Sequence, residues 1–256
     1  MIRIKRYAIF ILGFVLVLGH GCATKSKVTN NQMELYLLVG QSNMAGRGTI
    51  EAIDTATHAN VYVLNAEDGW SLAKEPLHYD KANRGVGPGF VFGQIMAANR
   101  KGTRIGLIPA AVGGTKISYW HPGGKRGLYE EAIRKAKVAM QQGKLKGIVW
   151  QQGESDSNTK DAPLYKERLM ALMQSFRKDL GNPDLPIVLG GLGDFLRRDT
   201  YKQVNQAIQE AANELGYAAY SEPSKLGHIG DNLHFNSSAQ RENGKHMAEA
   251  MLGLLE

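Results

Sequence analysis

The chain has 256 residues, of which 43% are hydrophobic and 21% are charged, and its formal net charge is +7. These values describe an ordinary globular protein with one substantial core, and the single cysteine excludes an internal disulfide. The basic residues are dispersed, without the interleaved aromatic side chains of a nucleic-acid surface. The net charge therefore does not indicate a nucleic-acid partner.

The first segment of the chain has the features of a targeting signal. Three basic residues within the first six positions precede an apolar run, Ala8–Gly19, that is too short to span a membrane comfortably. Cys22 follows this run and resembles the acylated cysteine of a bacterial lipoprotein. The match is imperfect, because Leu18 lies one position further from the cysteine than the usual pattern requires and His20 interrupts the small residues. We predict a signal peptide over residues 1–21.

The destination of the mature protein follows from this signal. Residues 22–33 are polar and are predicted to form a linker, lipid-anchored at Cys22 or released by plain secretion. Removal of the signal lowers the net charge from +7 to +4, because three basic residues leave with it. We expect the protein in the bacterial cell envelope, in the periplasm or outside the cell, with membrane contact only through the anchor.

From residue 34 onward, short apolar runs that predict strands alternate with amphipathic patterns that predict helices. The predicted strands are Leu35–Val39, Val61–Leu64, Ile105–Ile108, Ile148–Trp150 and Ile187–Leu189. The predicted helices cover approximately Phe90–Asn99, Tyr129–Gln141, Ala162–Asp179, Tyr201–Leu215 and Ser238–Leu254, the last with Ser237 and Gln240 in a capping box.

This alternation predicts an α/β fold in which βαβ units build a parallel sheet of about five strands with helices on both faces. One domain over residues 34–256 accommodates every element. Residues 65–89 have no clean periodicity, and a loop of that length in a compact domain is more often functional than idle. Its glycine cluster, Gly85–Gly89, is not a phosphate loop, because Pro88 removes a donor and no Lys-Ser/Thr pair follows.

Polar clusters lie near the ends of the predicted strands. The carboxyl ends of parallel strands meet at one edge of a sheet, where α/β proteins bind their ligands. Ser42 alone could be either a helix N-cap or a nucleophile, so its function depends on its neighbours. The clusters are Gly40–Met44 after the first strand, Ala111–Thr115 after the third, Trp150–Asp156 at the fourth, and Asp231–Phe235 before the last helix.

These residue types supply the parts of a nucleophilic acyl-transfer site. Ser42 offers a hydroxyl group, and His234 offers an imidazole that could act as its base. Asp231, three residues before His234, could orient the imidazole. Donors for a developing oxyanion could come from the backbone N–H groups of Ser42, Gly113 or Gly114 and from the Gln152 amide.

Two other kinds of site can be built from the same side chains. Glu154 and Asp156 could form the carboxylate pair of a glycoside hydrolase, although such a site would not need Ser42. A metal could bind His228, Asp231 and His234, although nothing requires one and no closing ligand is evident. We expect no metal and no cofactor.

In their order along the chain, the blocks resemble those of the SGNH hydrolases, a superfamily of esterases and lipases. They are most similar to its carbohydrate esterase family 6 branch, which includes acetylxylan esterase-like and sialate O-acetylesterase-like enzymes. The resemblance implies a flavodoxin-like, three-layer α/β/α fold. The matching blocks are Gly40–Gly48, Glu75–His78 with Gly85–Gly89, Ala111–Thr115, Gln152–Glu154 and Asp231–Phe235.

The resemblance also implies a serine carbohydrate O-acetylesterase with Ser42, Asp231 and His234 as its triad. It would remove acetyl groups from xylan-type polysaccharide or sialic acid through an acetyl-enzyme on Ser42. The superfamily expects an asparagine where this chain has Ser155, so Gln152 is predicted as the side-chain oxyanion donor. Residues predicted to face the substrate or to support the site are Gln41, Asn43, Glu154, Trp120 and His121, with Trp70 and the 65–89 loop as further candidates for a sugar platform.

Two other functions stay open on the sequence alone. A non-catalytic envelope protein that binds glycans could keep the same fold, because fold does not imply function. An esterase for non-sugar esters would also use the predicted triad. For the predicted enzyme we expect a monomer whose partner is an acetylated carbohydrate.

Overall fold

A mixed sheet forms the centre of the computed structural model, which describes residue 2, residues 33–223 and residues 225–256. Within these residues the sheet has seven strands in the order β3-β2-β4-β1-β5-β6-β7, all parallel except β3, which pairs antiparallel with β2. The strands are Met33–Gly40 (β1), Val61–Leu64 (β2), Trp70–Leu72 (β3), Ile105–Pro109 (β4), Gly143–Gln151 (β5), Ile187–Gly190 (β6) and Ala218–Ser221 (β7).

Helices cover both faces of this sheet, which confirms the predicted three-layer α/β/α fold. They are Ser42–Ala45 (α1), Gly89–Asn99 (α2), Leu128–Ala139 (α3), Tyr165–Asp179 (α4), Thr200–Leu215 (α5) and Ser237–Leu255 (α6). Four short 3-10 turns within the described ranges lie at Ala52–Thr55, Ile117–Tyr119, Glu154–Asp156 and Ala162–Leu164.

The two faces of β1 explain its uninterrupted apolar sequence. Leu35, Leu37 and Val39 lie in the core layer beneath α3, α4 and α5, whereas Tyr36 and Leu38 lie in the layer that contains α2 and α6. All five side chains are fully buried. A strand with both faces covered has no polar alternation, which is typical of parallel sheets.

Two strands and one cap differ from the sequence prediction. The 65–89 segment contains the three-residue strand β3, and β7 is a short edge strand, Ala-Ala-Tyr-Ser, whose first three residues are half-buried. Neither has the apolar run by which the five predicted strands were recognised. Helix α6 is capped by Asn236, whose side chain accepts a hydrogen bond from Ala239 N–H, so the predicted Ser237–Gln240 capping box is wrong. Gln240 instead donates to the Asn43 carbonyl.

The order of the strands places Ser42 at a switch point of the sheet. From β1 the chain runs to β2, β3 and β4 on one side, and then crosses to β5, β6 and β7 on the other. Ligands bind at such points beside the carboxyl ends of the strands. Gly40 ends β1 with φ +136°, and a Cβ there would lie 2.0 Å from the Gln151 carbonyl oxygen. The backbone can therefore turn sharply into α1 only with glycine at this position.

Cys22 and, apart from residue 2, the predicted signal peptide lie outside the described residues, so the proposed localisation stays a prediction. Residues 31–256 form one compact unit. Among the helices that the structure describes, none combines the length and the apolarity needed to cross a membrane.

Candidate active site

Ser42, His234 and Asp231 form a continuous chain of hydrogen bonds. Ser42 Oγ lies 3.0 Å from His234 Nε2, and His234 Nδ1 lies 2.6 Å from Asp231 Oδ2. Ser42 is the first residue of α1 rather than its cap, because Gln41 occupies the N-cap position. The structure thus brings together three side chains that the sequence placed up to 192 residues apart.

A turn before α6 holds Asp231 and His234. Asp231 Oδ1 accepts the backbone N–H groups of Leu233 and His234, each at 2.9 Å, while Oδ2 contacts the imidazole. Partial burial opposes ionisation of Asp231, but these hydrogen bonds outweigh it and lower the pKa of the carboxyl group. The carboxylate is ionised at neutral pH and suited to orient the ring and stabilise an imidazolium.

Asn43 connects the segment that carries Ser42 to this turn. Its Nδ2 donates to Leu233 O at 3.1 Å and to Glu154 Oε1 at 2.5 Å, and its Oδ1 accepts Phe235 N–H at 3.1 Å. The side chain is 1% exposed. Asn43 therefore supports the position of the residues on either side of His234.

Two backbone N–H groups beside Ser42 are available to a ligand. Neither Ser42 N–H nor Gly114 N–H has an acceptor among the described residues, and both residues line the same cavity. Gly113 is different, because its N–H donates to Asp80 Oδ2 at 2.9 Å. Of the two predicted glycine donors, the structure favours Gly114.

Gln152 does not occupy the position predicted for it. The side chain is fully buried, and its Nε2 lies within 2.6 to 3.0 Å of three acceptors, whereas its Oε1 accepts the Tyr165 hydroxyl. An amide nitrogen has only two hydrogens, so none remains for an oxyanion. The acceptors are Gln41 Oε1, the Thr115 carbonyl and Asp156 Oδ2.

The Gln41 amide can donate a hydrogen bond beside Ser42, whereas the Gln152 amide cannot. Its Oε1 accepts Gln152 Nε2 at 3.0 Å and lies 3.4 to 3.5 Å from the N–H groups of Ser155 and Gly153. Because all three neighbours are donors, the oxygen of the amide must face them and Nε2 must point the other way. That nitrogen has no acceptor among the described residues, and Gln41 lines the cavity beside Ser42.

Glu154 is a carboxyl group at the edge of the cavity. Its Oε1 accepts the Asn43 amide, and its Oε2 is buried without a partner among the described residues. Burial raises the pKa of Glu154 to about 7, although the hydrogen bond from Asn43 opposes that shift. Glu154 therefore changes charge near neutral pH at the wall of the site.

Replacing Glu154 by Gln should remove part of the pH dependence of stability. Glu154 keeps its proton in the folded state up to about pH 7 but loses it near pH 4.5 in the unfolded state. Its contribution to the free energy of unfolding is therefore complete below pH 4.5 and is lost as the pH rises through 7. The steepest slope is ~1.4 kcal/mol per pH unit. Urea unfolding of both proteins at pH 5, 6, 7 and 8 measures this difference. A stability difference that does not change with pH would contradict the shift.

Two cavities meet at this site and share Glu154 and Leu233 as a common wall. The cavity around Ser42 has a volume of about 330 Å³, and the adjoining one about 270 Å³. The first is lined by Gln41, Ser42, Arg47, Lys81, Asn83, Gly113, Gly114, Glu154, Ser155, Leu233 and His234. The second is lined by Glu154, Ser157, Leu196, Arg197, Arg198, Asp231, Asn232 and Leu233.

The predicted aromatic platform is wrong for Trp120. This side chain is completely buried, packs edge-on against Trp150 at 5.4 Å, and donates to Thr115 Oγ1. Trp70 is partly buried against the same core. His121 is exposed, but it lines neither of the two cavities. From the 65–89 loop, the residues that reach the site are Lys81 and Asn83.

The alternative sites are not assembled. Asp156 is buried and accepts Gln152 Nε2 and Ile117 N–H, so it does not face Glu154 across a cleft as a glycosidase pair would. His228 Nδ1 accepts the N–H groups of Gly230 and Asn232. Within the described residues, no group of three or more acidic, histidine or cysteine side chains is arranged to hold a metal ion.

Comparison with known proteins assigns this arrangement to a family. The family model described as "Carbohydrate esterase, sialic acid-specific acetylesterase" matches residues 32–253. The chain belongs to this sialic acid-specific acetylesterase family. Members are carbohydrate acetylesterases, which are carboxylic ester hydrolases, so the predicted resemblance and the predicted class of enzyme are confirmed.

Individual members and neighbours of the acetylesterase family agree in extent and fold. The chain is 32% identical over 253 residues to "Probable carbohydrate esterase At4g34215" of Arabidopsis thaliana, covering 89% of this chain and 93% of that protein. The solved structure of that protein has a TM-score of 0.78 at 31% identity, over 87% of this chain and 98% of that one.

Two more distant structures share the fold. NanS has a TM-score of 0.70 at 15% identity, over 88% of this chain and 98% of that one. XAC1771, "a novel carbohydrate acetylesterase from Xanthomonas citri", has a TM-score of 0.69 at 19% identity, over 86% of this chain and 56% of that one.

Several residues of the acetylesterase site were absent from the sequence prediction. Arg47 and Leu233 lie inside blocks that were recognised, but nothing in their residue type distinguishes them. Arg197 and Arg198 follow β6, and a polar segment after a strand of a parallel sheet is a signal that could have identified them. Asp80 and Lys81 lie in the 65–89 loop, whose length was the only indication.

Proposed function

We propose that this acetylesterase is a serine enzyme that releases acetate from sugars through an acetyl-enzyme on Ser42. Ser42 Oγ attacks the acetyl carbonyl carbon while His234 Nε2 takes the hydroxyl proton. Asp231 stabilises the imidazolium that forms. The tetrahedral oxyanion is held by the N–H groups of Ser42 and Gly114 and by the Gln41 amide.

The second half of the reaction uses the same groups. Collapse of the tetrahedral intermediate breaks the bond to the sugar oxygen, which takes the proton from His234 and leaves as a hydroxyl group. A water molecule then attacks the acetyl-enzyme, with His234 as its base, and acetate departs.

The observation that carries this proposal is the hydrogen-bonded chain from Ser42 to Asp231, beside donors that have no acceptor in the described part of the protein. A glycan-binding protein would have no use for that arrangement, and membership of the acetylesterase family also favours the enzyme. Incubation with a fluorophosphonate probe tests the nucleophile directly. Mass spectrometry should find one adduct, on Ser42, and an intact protein without label would contradict the serine mechanism.

The charge around the site favours a substrate with a carboxylate. Lys81 lines the Ser42 cavity, and Arg197 and Arg198 line the adjoining one. None of the three has an ion-pair partner in the described part of the chain. Of the two expected substrates, O-acetylated sialic acid carries a carboxylate on the acetylated sugar itself, whereas xylose units do not. We therefore place sialic acid ahead of acetylated xylan.

Replacing Arg197 and Arg198 together by Ala should raise KM for O-acetylated sialic acid roughly tenfold, since one charge-assisted hydrogen bond contributes ~1.5 kcal/mol or more. The kcat/KM for a neutral aryl acetate should change little. Acetate release from both substrates and from acetylated xylan gives the comparison. The matched control replaces Lys144 and Lys178, exposed residues outside both cavities, because it removes the same charge. An equal rise in KM in both double variants would contradict a carboxylate subsite.

A further inference from the structure

A buried ion pair lies directly behind the turn that carries Gly114. Arg47 Nη2 donates to Asp80 Oδ2 at 2.8 Å, and the two side chains are 4% and 1% exposed. The same carboxylate oxygen accepts Gly113 N–H at 2.9 Å. Burial opposes the charge on Asp80, but the hydrogen bonds from Arg47 and Gly113 lower the pKa of its carboxyl group, so Asp80 is ionised at neutral pH.

This ion pair links the segment after α1 to the turn at Gly113, and the proposed reaction needs both segments in fixed positions relative to each other. Arg47 lies two residues after α1, and its Nη1 also donates to the Gly46 carbonyl at 2.6 Å. The turn at Gly113 follows β4. Asp80 belongs to neither segment and bridges them, since one of its oxygens accepts from both.

The turn packs closely against the pair. A Cβ at Gly113 would lie 2.3 Å from Arg47 Nη2 and 3.1 Å from Asp80 Oδ2, so the backbone there has no room to shift towards them. Gly114 follows with φ +73°, in the left-handed region, and its N–H lies at the Ser42 cavity without an acceptor among the described residues. Fixing the Gly113 peptide therefore also fixes where the Gly114 N–H lies.

We propose that Asp80 is a positioning residue of the esterase, which holds the Gly113–Gly114 turn so that Gly114 N–H meets the oxyanion. This proposal rests on the serine mechanism above. A buried ion pair is seldom needed for stability, because an apolar replacement is often as stable. A bridge between the segment that carries Ser42 and an oxyanion donor gives this pair a function besides stability.

The test compares Asp80→Ala with Asp80→Asn. Asn can place its oxygen where Oδ2 accepts both donors, and its NH2 group where Oδ1 has no partner among the described residues. Asp80→Asn should therefore keep most of kcat. Asp80→Ala should lose roughly 10- to 100-fold in kcat with KM little changed, because a misplaced donor weakens transition-state binding rather than substrate binding.

A ratio of two substrates separates positioning from general damage. An oxyanion hole favours an oxygen ester over the matching thionoester, since N–H groups bond oxygen better than sulfur. The oxygen-ester to thionoester rate ratio should fall about tenfold in Asp80→Ala and stay near wild type in Asp80→Asn. An unchanged ratio in Asp80→Ala would overturn the proposal, even if kcat fell.

The chain offers a matched control in Asp54. This buried aspartate also accepts from an arginine, Arg241, and from one backbone N–H, that of Glu51, but it lines neither cavity of the site. Asp54→Ala should leave the rate ratio unchanged.

Amide hydrogen exchange of Gly113 gives a readout that does not require turnover. Exchange should accelerate at least tenfold in Asp80→Ala and stay slow in Asp54→Ala. If the wild-type protein showed no esterase activity, the proposed function would fail, whereas Gly113 exchange would still decide whether Asp80 holds the turn. Equal exchange rates of Gly113 N–H in wild type and Asp80→Ala would contradict the proposal that Asp80 holds the turn.

Discussion

Replacing Ser42 by Ala should lower kcat on an acetylated aryl ester by roughly 10⁶-fold, because the variant has no hydroxyl group to form the acetyl-enzyme. The unpaired donors around the cavity remain, so a residual rate of ~10³- to 10⁴-fold over water is expected. KM should change little. Initial rates of acetate release over a range of substrate concentrations give both constants.

A second serine at a helix start provides the control for Ser42. Ser237 is the first residue of α6, is 5% exposed, and donates to the Thr49 carbonyl. Ser237→Ala should keep kcat near wild type. Adding His234→Ala to Ser42→Ala should cost little more than Ser42→Ala alone, since residues that act as one unit are strongly non-additive. Full activity of Ser42→Ala would contradict the serine mechanism.

Replacing Gln41 by Ala should lower kcat by ~10²- to 10³-fold, the usual effect of removing one oxyanion donor. Gln41→Glu should be at least as damaging, because it keeps the shape of the side chain but places a carboxylate oxygen where Nε2 would donate. KM should stay within a few-fold of wild type in both variants, since the bond strengthens only in the transition state.

Gln41→Ala is the variant that distinguishes the two amides, because Gln152→Ala should lower kcat under either assignment. If Gln152 were the oxyanion donor, Gln152→Ala would lose kcat and Gln41→Ala would keep it. We expect Gln152→Ala to lower the free energy of unfolding by ~1–3 kcal/mol for each buried partner left unsatisfied. It should also lower kcat, because Gln41 Oε1 loses its nearest donor. Wild-type turnover in Gln41→Ala would show that its amide is not a donor.

Local patterns in the sequence predicted the fold class and the three residues of the proposed triad. The apolar run of β1 predicts a strand buried on both faces, and the alternation of strands and helices predicts the parallel sheet. Asp231 and His234 could be paired from the sequence because their contact is made within one turn, where the Asp231 carboxylate accepts the N–H groups two and three residues later. Interactions this short depend little on the rest of the chain.

Only the tertiary structure decided which polar side chains face the cavity beside Ser42. Gln41 and Gln152 are the same residue type in recognised blocks, separated by 111 positions. Gln152 is excluded because three acceptors surround its amide nitrogen, two of them from distant segments, and Trp120 is excluded because it packs on Trp150. Asp80 is held by hydrogen bonds from Arg47 and Gly113, two residues that the sheet brings together. The side chain of a glutamine or a tryptophan can face either the protein interior or a cavity. Contacts between distant segments decide which of the two it faces.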